Sequence, residues 1–211
     1  MRTTVTISRQ LGCGGSYIGQ LIATRLGLKY VDREVLQLAA DEFGCDTETV
    51  AAREERISTF WERILSGLTF GTPEAPYTPP PLKTLAFSDR ELFETQTEIL
   101  KRIASRNDCV VIGWAGVHVL PDHPGKFSIF CHAPARFRIR RIMNLYGVET
   151  KEEARAMMEE SDEMRKRYFE AMTGHEWACA ENYHLSVDTS LLPMEEIAEM
   201  LIDLIQRKRR A

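Results

Sequence analysis

An α/β fold, with a parallel sheet covered on both faces by helices, is what the order of elements in this sequence predicts. Two observations carry that prediction. Short β-favouring runs recur at Thr4 to Ile7, Lys29 to Val31, Cys109 to Ile112, Phe127 to Cys131 and Leu185 to Val187, with helical patterns between them. Strands that alternate with helices are joined by crossovers, and crossovers make a sheet parallel. The runs at Cys109 and Phe127 are nearly all hydrophobic, as strands buried on both faces are, so they belong near the centre of the sheet.

Taken in order, Thr4-Val5-Thr6-Ile7 opens the chain as a strand, and Gly12-Cys13-Gly14-Gly15 follows as a glycine turn. Ile18, Leu21, Ile22 and Leu26 then stand at helical spacing. A strand that runs through glycines into a helix N-terminus is a phosphate-binding arrangement. Glycine leaves the backbone N–H groups open to an anion, and the helix dipole adds about half a positive charge at that end. After Lys29 to Val31 comes too much chain for one crossover, with helices expected around Arg33 to Phe43, Thr47 to Leu65 and Ser88 to Ser105. Within this excursion, about 33–106, the proline-rich stretch Gly71 to Pro81 predicts an extended surface loop or flap. A second helical excursion runs from about Thr150 to Met172, and Ile197, Leu201, Leu204 and Ile205 mark a closing amphipathic helix. Lys208-Arg209-Arg210 at its end complements the helix dipole, with a binding arm as the alternative.

Composition bounds the function. With 211 residues, 44% apolar and 27% charged, the chain can bury a proper core as a single domain. Twenty-seven Lys and Arg against 31 Asp and Glu leave a net charge of −4, which argues against a dedicated nucleic-acid binder. Five cysteines, at 13, 45, 109, 131 and 179, never form a CxxC spacing, so reduced thiols in the cytoplasm are expected rather than disulfides or a zinc knuckle. No apolar run approaches the about 18 residues of a membrane span, and no signal-peptide pattern follows Met1. The five histidines show no ligand spacing and receive no chemistry.

Against the phosphate-loop pattern G-x-x-x-x-G-K-[ST], the best register sets Arg9 on the first glycine, Gly14 on the second, Gly15 on the lysine and Ser16 on the hydroxyl residue. The lysine is therefore missing. A dinucleotide fingerprint on Gly12-x-Gly14 fits poorly, because Tyr17 stands where the third glycine belongs.

Several motifs in order resemble the cytidylate kinase-like family. These are Ile7 to Gly19, Tyr30-Val31-Asp32-Arg33-Glu34, Val110-Val111-Ile112-Gly113, and Ala133-Pro134 with Phe137 to Ile142. They continue in Asp162-x-x-Arg165-x-x-Tyr168, Gly174-x-x-Trp177, Asn182-Tyr183 and Asp188-Thr189-Ser190. The resemblance implies a three-layer P-loop nucleoside monophosphate kinase fold with a five-stranded parallel sheet, a helical nucleotide-binding excursion and an arginine-bearing helical lid at about 134–173. It also implies ATP and Mg²⁺ as cofactors and a small nucleotide, a pyrimidine monophosphate first, as acceptor.

On that basis Arg9, Gly12, Cys13, Gly14, Gly15, Ser16 and Tyr17 are the candidates for holding ATP, with Ser16 also the candidate Mg²⁺ ligand. Asp32, Arg33 and Asp188 are the substrate-binding candidates. Arg136, Arg140 and Arg165 are the catalytic ones, because an arginine fork grips phosphate oxygens bidentately and stays charged. Each has a structural alternative. Asp32 and Ser16 can simply open helices, Asp188 can serve a turn, and the arginines can belong to solvated pairs such as Asp162 with Lys166 or Glu163 with Arg167. Departures from the family pattern, Gly15 for the P-loop lysine, Ser16 where the family usually shows a basic residue and Trp114 where it usually offers an arginine, leave open a nucleotide- or phosphate-binding module without turnover. Arg9 could supply the lost charge from within the loop.

Overall fold

The computed structural model describes residues 2–32, 89–113 and 115–210. The expected helices at 33–43 and 47–65, the proline-rich stretch at 71–81, Arg33 and Trp114 lie outside the described residues.

Five strands form one parallel sheet: β1 (Thr4–Arg9), β2 (Lys29–Val31), β3 (Cys109–Ile112), β4 (Lys126–His132) and β5 (Leu185–Asp188), in spatial order β2-β3-β1-β4-β5. The hydrophobic runs are central, as their composition predicts. β1 pairs with β3 from Thr4↔Cys109 to Ile7↔Ile112, and with β4 from Thr4↔Lys126 to Arg9↔Cys131. The helices are α1 (Gly15–Leu26), α2 (Asp89–Arg106), the short α3 (Gly116–Val119), α4 (Ala135–Tyr146), α5 (Lys151–Thr173) and α6 (Met194–Arg210).

Because strand side chains alternate, each strand feeds two cores. Val110 and Ile112 join Val5, Ile7 and Ile129 under α1 and α6, where Ile18, Ile22, Ile197, Leu201 and Ile205 cover them. Cys109, Val111 and Phe130 face the other way, against Leu100 and Ile103 of α2, with Phe169, Trp177 and Tyr183 closing that side. Full burial of each such side chain contributes about 1.5–3 kcal/mol. A third, smaller core sets Leu11 of the glycine loop against Ile139 and Ile142 of α4 and Ala154 and Met158 of α5. The two helices expected to form a lid are thus anchored on the loop itself.

α1 starts at Gly15, ahead of the first periodic apolar residue, Ile18. Its N-cap is Gly14, held at φ 85°, and glycines leave no trace in an apolar pattern. Among the described residues, no helix is long and apolar enough to cross a membrane.

Candidate functional site

The site lies where the C-terminal ends of β1, β2 and β3 meet the start of α1, outside the carboxyl edge of the sheet. The loop from Gln10 to Gly14 is held from below. Gln10 N–H donates to the Cys131 carbonyl at 3.1 Å, and the buried Thr189 hydroxyl donates to the Cys13 carbonyl at 2.5 Å. A trans peptide points its N–H opposite to its C=O, so drawing the Cys13 carbonyl inward turns the Gly14 amide outward. Arg138 draws the Leu11 carbonyl to itself at 3.3 Å, which turns the Gly12 amide away from it in the same manner. Gly12 and Gly14 adopt φ 78° and 85°, angles that cost other residues strain. The N–H groups of Gly15 and Ser16 open the first turn of α1, where no intrahelical acceptor exists.

Arginines flank the loop. Arg9, the last residue of β1, donates from Nε to Ser16 Oγ at 3.2 Å, and its Nη2 lies 3.6 Å from Asp32 Oδ1. Arg165 of α5 donates to the Arg9 carbonyl at 3.3 Å and lies 3.7 Å from Asp162 Oδ1. Burial, and then the neighbouring Arg9 cation, push the Arg165 guanidinium down to about 10, so it remains charged at neutral pH. Two cations therefore meet beside the loop. Arg141 adds a third, its Nη2 3.6 Å from where a Cβ on Gly14 would stand.

Asp162 is the hub that fixes this arrangement. Its Oδ1 accepts from the Leu11 amide at 2.8 Å, and its Oδ2 accepts from the buried Arg138 guanidinium. The expected pairing of Asp162 with Lys166 gives way to these partners, because the carboxylate turns inward, away from the solvated face of α5. Glu163 and Arg167 do pair as the helical spacing suggests, at 2.7 Å.

The remaining candidates divide. Arg136 and Arg140 are exposed on α4, while Arg138, on the opposite face of that helix, reaches the loop. Tyr17 does not plug the loop: its hydroxyl donates to Glu195 of α6 at 2.8 Å, and that bond is the main cause of its raised pKa. Asp32 stands at the end of β2, within 3.2 Å of the Tyr30 hydroxyl, whose pKa burial and then the Asp32 charge push up. Asp188 folds into its own turn, accepting from Ser190 N–H at 2.9 Å and from the Ser190 hydroxyl at 2.7 Å, and the hydroxyl bond chiefly holds its carboxyl below the usual range. Its neighbour Thr189 is the residue of that turn that touches the loop. From the sequence, Arg138 and Thr189 stand only within family-like motifs and Asp162 only as a solvated partner of Lys166; their contacts with the loop emerge from the fold.

Ser16, the candidate Mg²⁺ ligand, stands in the first turn of α1. Its hydroxyl accepts from Arg9, whose guanidinium also lies 3.6 Å from Asp32 Oδ1. Among the described residues no group of three His, Cys, Asp or Glu side chains is arranged to hold a metal ion.

The sequence model of the cytidylate kinase-like family matches residues 4–191 of the chain. No curated protein matches it in sequence. Among solved structures, an uncharacterized protein from Eubacterium ventriosum superposes with a TM-score of 0.69 at 18% identity, over 97% of this chain and 99% of that one. Shikimate kinase from Bacteroides thetaiotaomicron gives 0.50 at 13% identity, over 97% and 98% of the two chains. A gluconokinase from Sinorhizobium meliloti gives 0.50 at 18% identity, over 98% and 94%. At such identities the likeness is one of fold, a P-loop kinase fold.

Proposed function

The chain belongs to the cytidylate kinase-like family, and from that premise we propose that it is a phosphotransferase that moves the γ-phosphoryl group of ATP to a small acceptor, first among them a pyrimidine nucleoside monophosphate. The observation that carries this reading is the outward turn of the Gly12 and Gly14 amides in a loop flanked by Arg9 and Arg165. ATP, when bound, supplies the transferable phosphoryl group and its leaving diphosphate.

The chain's own part is to position and to neutralise. The amides of Gly12, Gly14, Gly15 and Ser16 cradle phosphate oxygens, and Cys13 and Tyr17 flank that cradle. Arg9 and Arg165 spread positive charge over the group in transit, the main demand of phosphoryl transfer. Asp32 faces the acceptor from the end of β2, and Arg33, next to it in sequence, is the other acceptor-binding candidate. Arg136 and Arg140 are outer lid residues that act, if the lid closes further, from its rim, and Asp188 acts on the base only through the turn that carries Thr189. No general base is required, since orientation and charge supply most of the effect. The buried thiols of Cys13, Cys109 and Cys131 suit a reducing cytoplasm.

A second reading, a nucleotide- or phosphate-binding module without turnover, draws on Gly15, which brings no charge to the lysine position. Coupled measurement of ADP release with a panel of nucleoside monophosphates and small hydroxy acids separates the two. Acceptor-dependent ADP release is expected, and ATP binding with no such release from any acceptor would leave the module.

A further inference from the structure

We propose that Arg9 and Gly15 are a reciprocal exchange within the phosphate loop: the glycine and the cation of the G-x-x-x-x-G-K-[ST] pattern have traded places, so the loop's cation comes from the end of β1 rather than from the first turn of α1. The proposal deepens the phosphotransferase reading and rests on it for what the cation does. Its geometric half stands apart.

That half is a shared volume. A Cβ added at Gly15 would lie 2.7 Å from Arg9 Cβ, closer than such atoms approach one another, and 3.0 Å from Cys131 Cβ, a tight contact. The end of β1, the end of β4 and the start of α1 converge there, and Arg9 and Cys131 are paired across β1 and β4. Two side chains cannot both leave that junction. A loop with lysine at its seventh position needs glycine at its first, and a loop with arginine at its first needs glycine at its seventh. In the eight-residue register, this chain has the second combination.

The exchange redirects the charge. Arg9 runs across the carboxyl ends of three adjacent strands, from β1, over Gly113 at the end of β3, to Asp32 beyond β2. A Cβ on Gly113 would collide with Arg9 Nη1, so that glycine, at φ 74°, keeps the path clear. Ser16 Oγ and Asp32 hold the guanidinium by Nε and Nη2. The cation is thereby fixed on the boundary between the loop amides and Asp32, with a planar fork in place of the lysine's single rotatable ammonium. A phosphoryl group passing from one side to the other crosses this boundary.

A substitution cycle tests both halves. Gly15→Ala is introduced into the unsubstituted chain and into Arg9→Gly, and thermal midpoints are compared, alanine being small enough to spare the fold. The exchange predicts that Gly15→Ala lowers the midpoint when Arg9 is present and lowers it clearly less when Arg9 is glycine, the tight Cys131 contact being common to both. Equal losses in both backgrounds would overturn the shared volume. Inorganic tripolyphosphate is then titrated into the unsubstituted chain, Arg9→Gly, Gly15→Lys and the double variant Arg9→Gly/Gly15→Lys. Arg9→Gly is expected to weaken binding about tenfold or more, Gly15→Lys to be destabilised and to bind no better than the unsubstituted chain, and the double variant to recover to within about threefold. Unchanged affinity in Arg9→Gly overturns the relocated cation while leaving the phosphate reading intact. No tripolyphosphate binding by the unsubstituted chain overturns the phosphate reading itself, and with it the charge half of the proposal.

Discussion

Asp162 Oδ1 accepts a hydrogen bond from the Leu11 amide at 2.8 Å, across 151 residues of chain. One carboxylate thus ties α5 to the phosphate loop, and its second oxygen holds Arg138 of α4. Removing it leaves the Leu11 amide without an acceptor and the buried Arg138 guanidinium with the Leu11 carbonyl but no carboxylate. Asp162→Ala should lower stability by about 2–3 kcal/mol in urea denaturation. Asp162→Asn keeps an oxygen for Leu11 but loses the charge, and should fall between the two. A loss within about 0.5 kcal/mol for alanine would show that the hub is ornamental.

Glycine at position 12 answers two demands at once. Its φ is 78°, and a Cβ there would stand 2.9 Å from the Arg138 carbonyl oxygen. Gly12→Ala is expected to cost about 2 kcal/mol or more and to weaken ATP binding. Gly27→Ala, at φ 64° with nothing within 4 Å of its Cβ, isolates the backbone penalty at about 1 kcal/mol and should leave ATP binding unchanged. Equal effects at the two positions would contradict the packing account of the loop.

The lid arginines should separate by burial. Arg165 contacts the Arg9 carbonyl, whereas Arg136 and Arg140 are exposed on α4. Arg165→Ala should reduce ATP affinity about tenfold, and Arg136→Ala or Arg140→Ala less than about threefold, by isothermal titration.

Acid should destabilise the fold through its histidines. Burial holds the pKa of His118, His123 and His184 below the ordinary histidine value, and the stacked His175 ring, 3.9 Å from His118 between centroids, lowers His118 further. Lys126, Lys208 and Asp122 also face these rings, the lysines lowering and the carboxylate raising. A base whose folded pKa is depressed binds fewer protons folded than unfolded, so stability falls as pH drops through the unfolded value of about 6.5. The thermal midpoint should decline between about pH 7.5 and 5.5, and His118→Phe should flatten that decline. A midpoint that rises over this range contradicts the sign.

Much of this architecture was legible in the residues. The strand runs predicted the parallel sheet and put Cys109 to Ile112 and Phe127 to Cys131 near its centre, because full burial on both faces leaves an unbroken apolar record. The glycine loop and Arg165 were legible for similar reasons, one through turn chemistry and the other through motif order. Arg138 was not, since a charged residue in a helix reads as solvated until its partner is known, and that partner, Asp162, lies on the next helix. The exchange between positions 9 and 15 showed in the sequence as a missing lysine, and only the approach of β1 to α1 gives it a steric cause.

The most direct test is titration of ATP into the unsubstituted chain and into Arg165→Ala under the same conditions. Binding by the unsubstituted chain that weakens about tenfold in the variant is the expected result. Absence of ATP binding, or equal affinity for both proteins, would contradict a phosphate site built from loop amides and converging arginines.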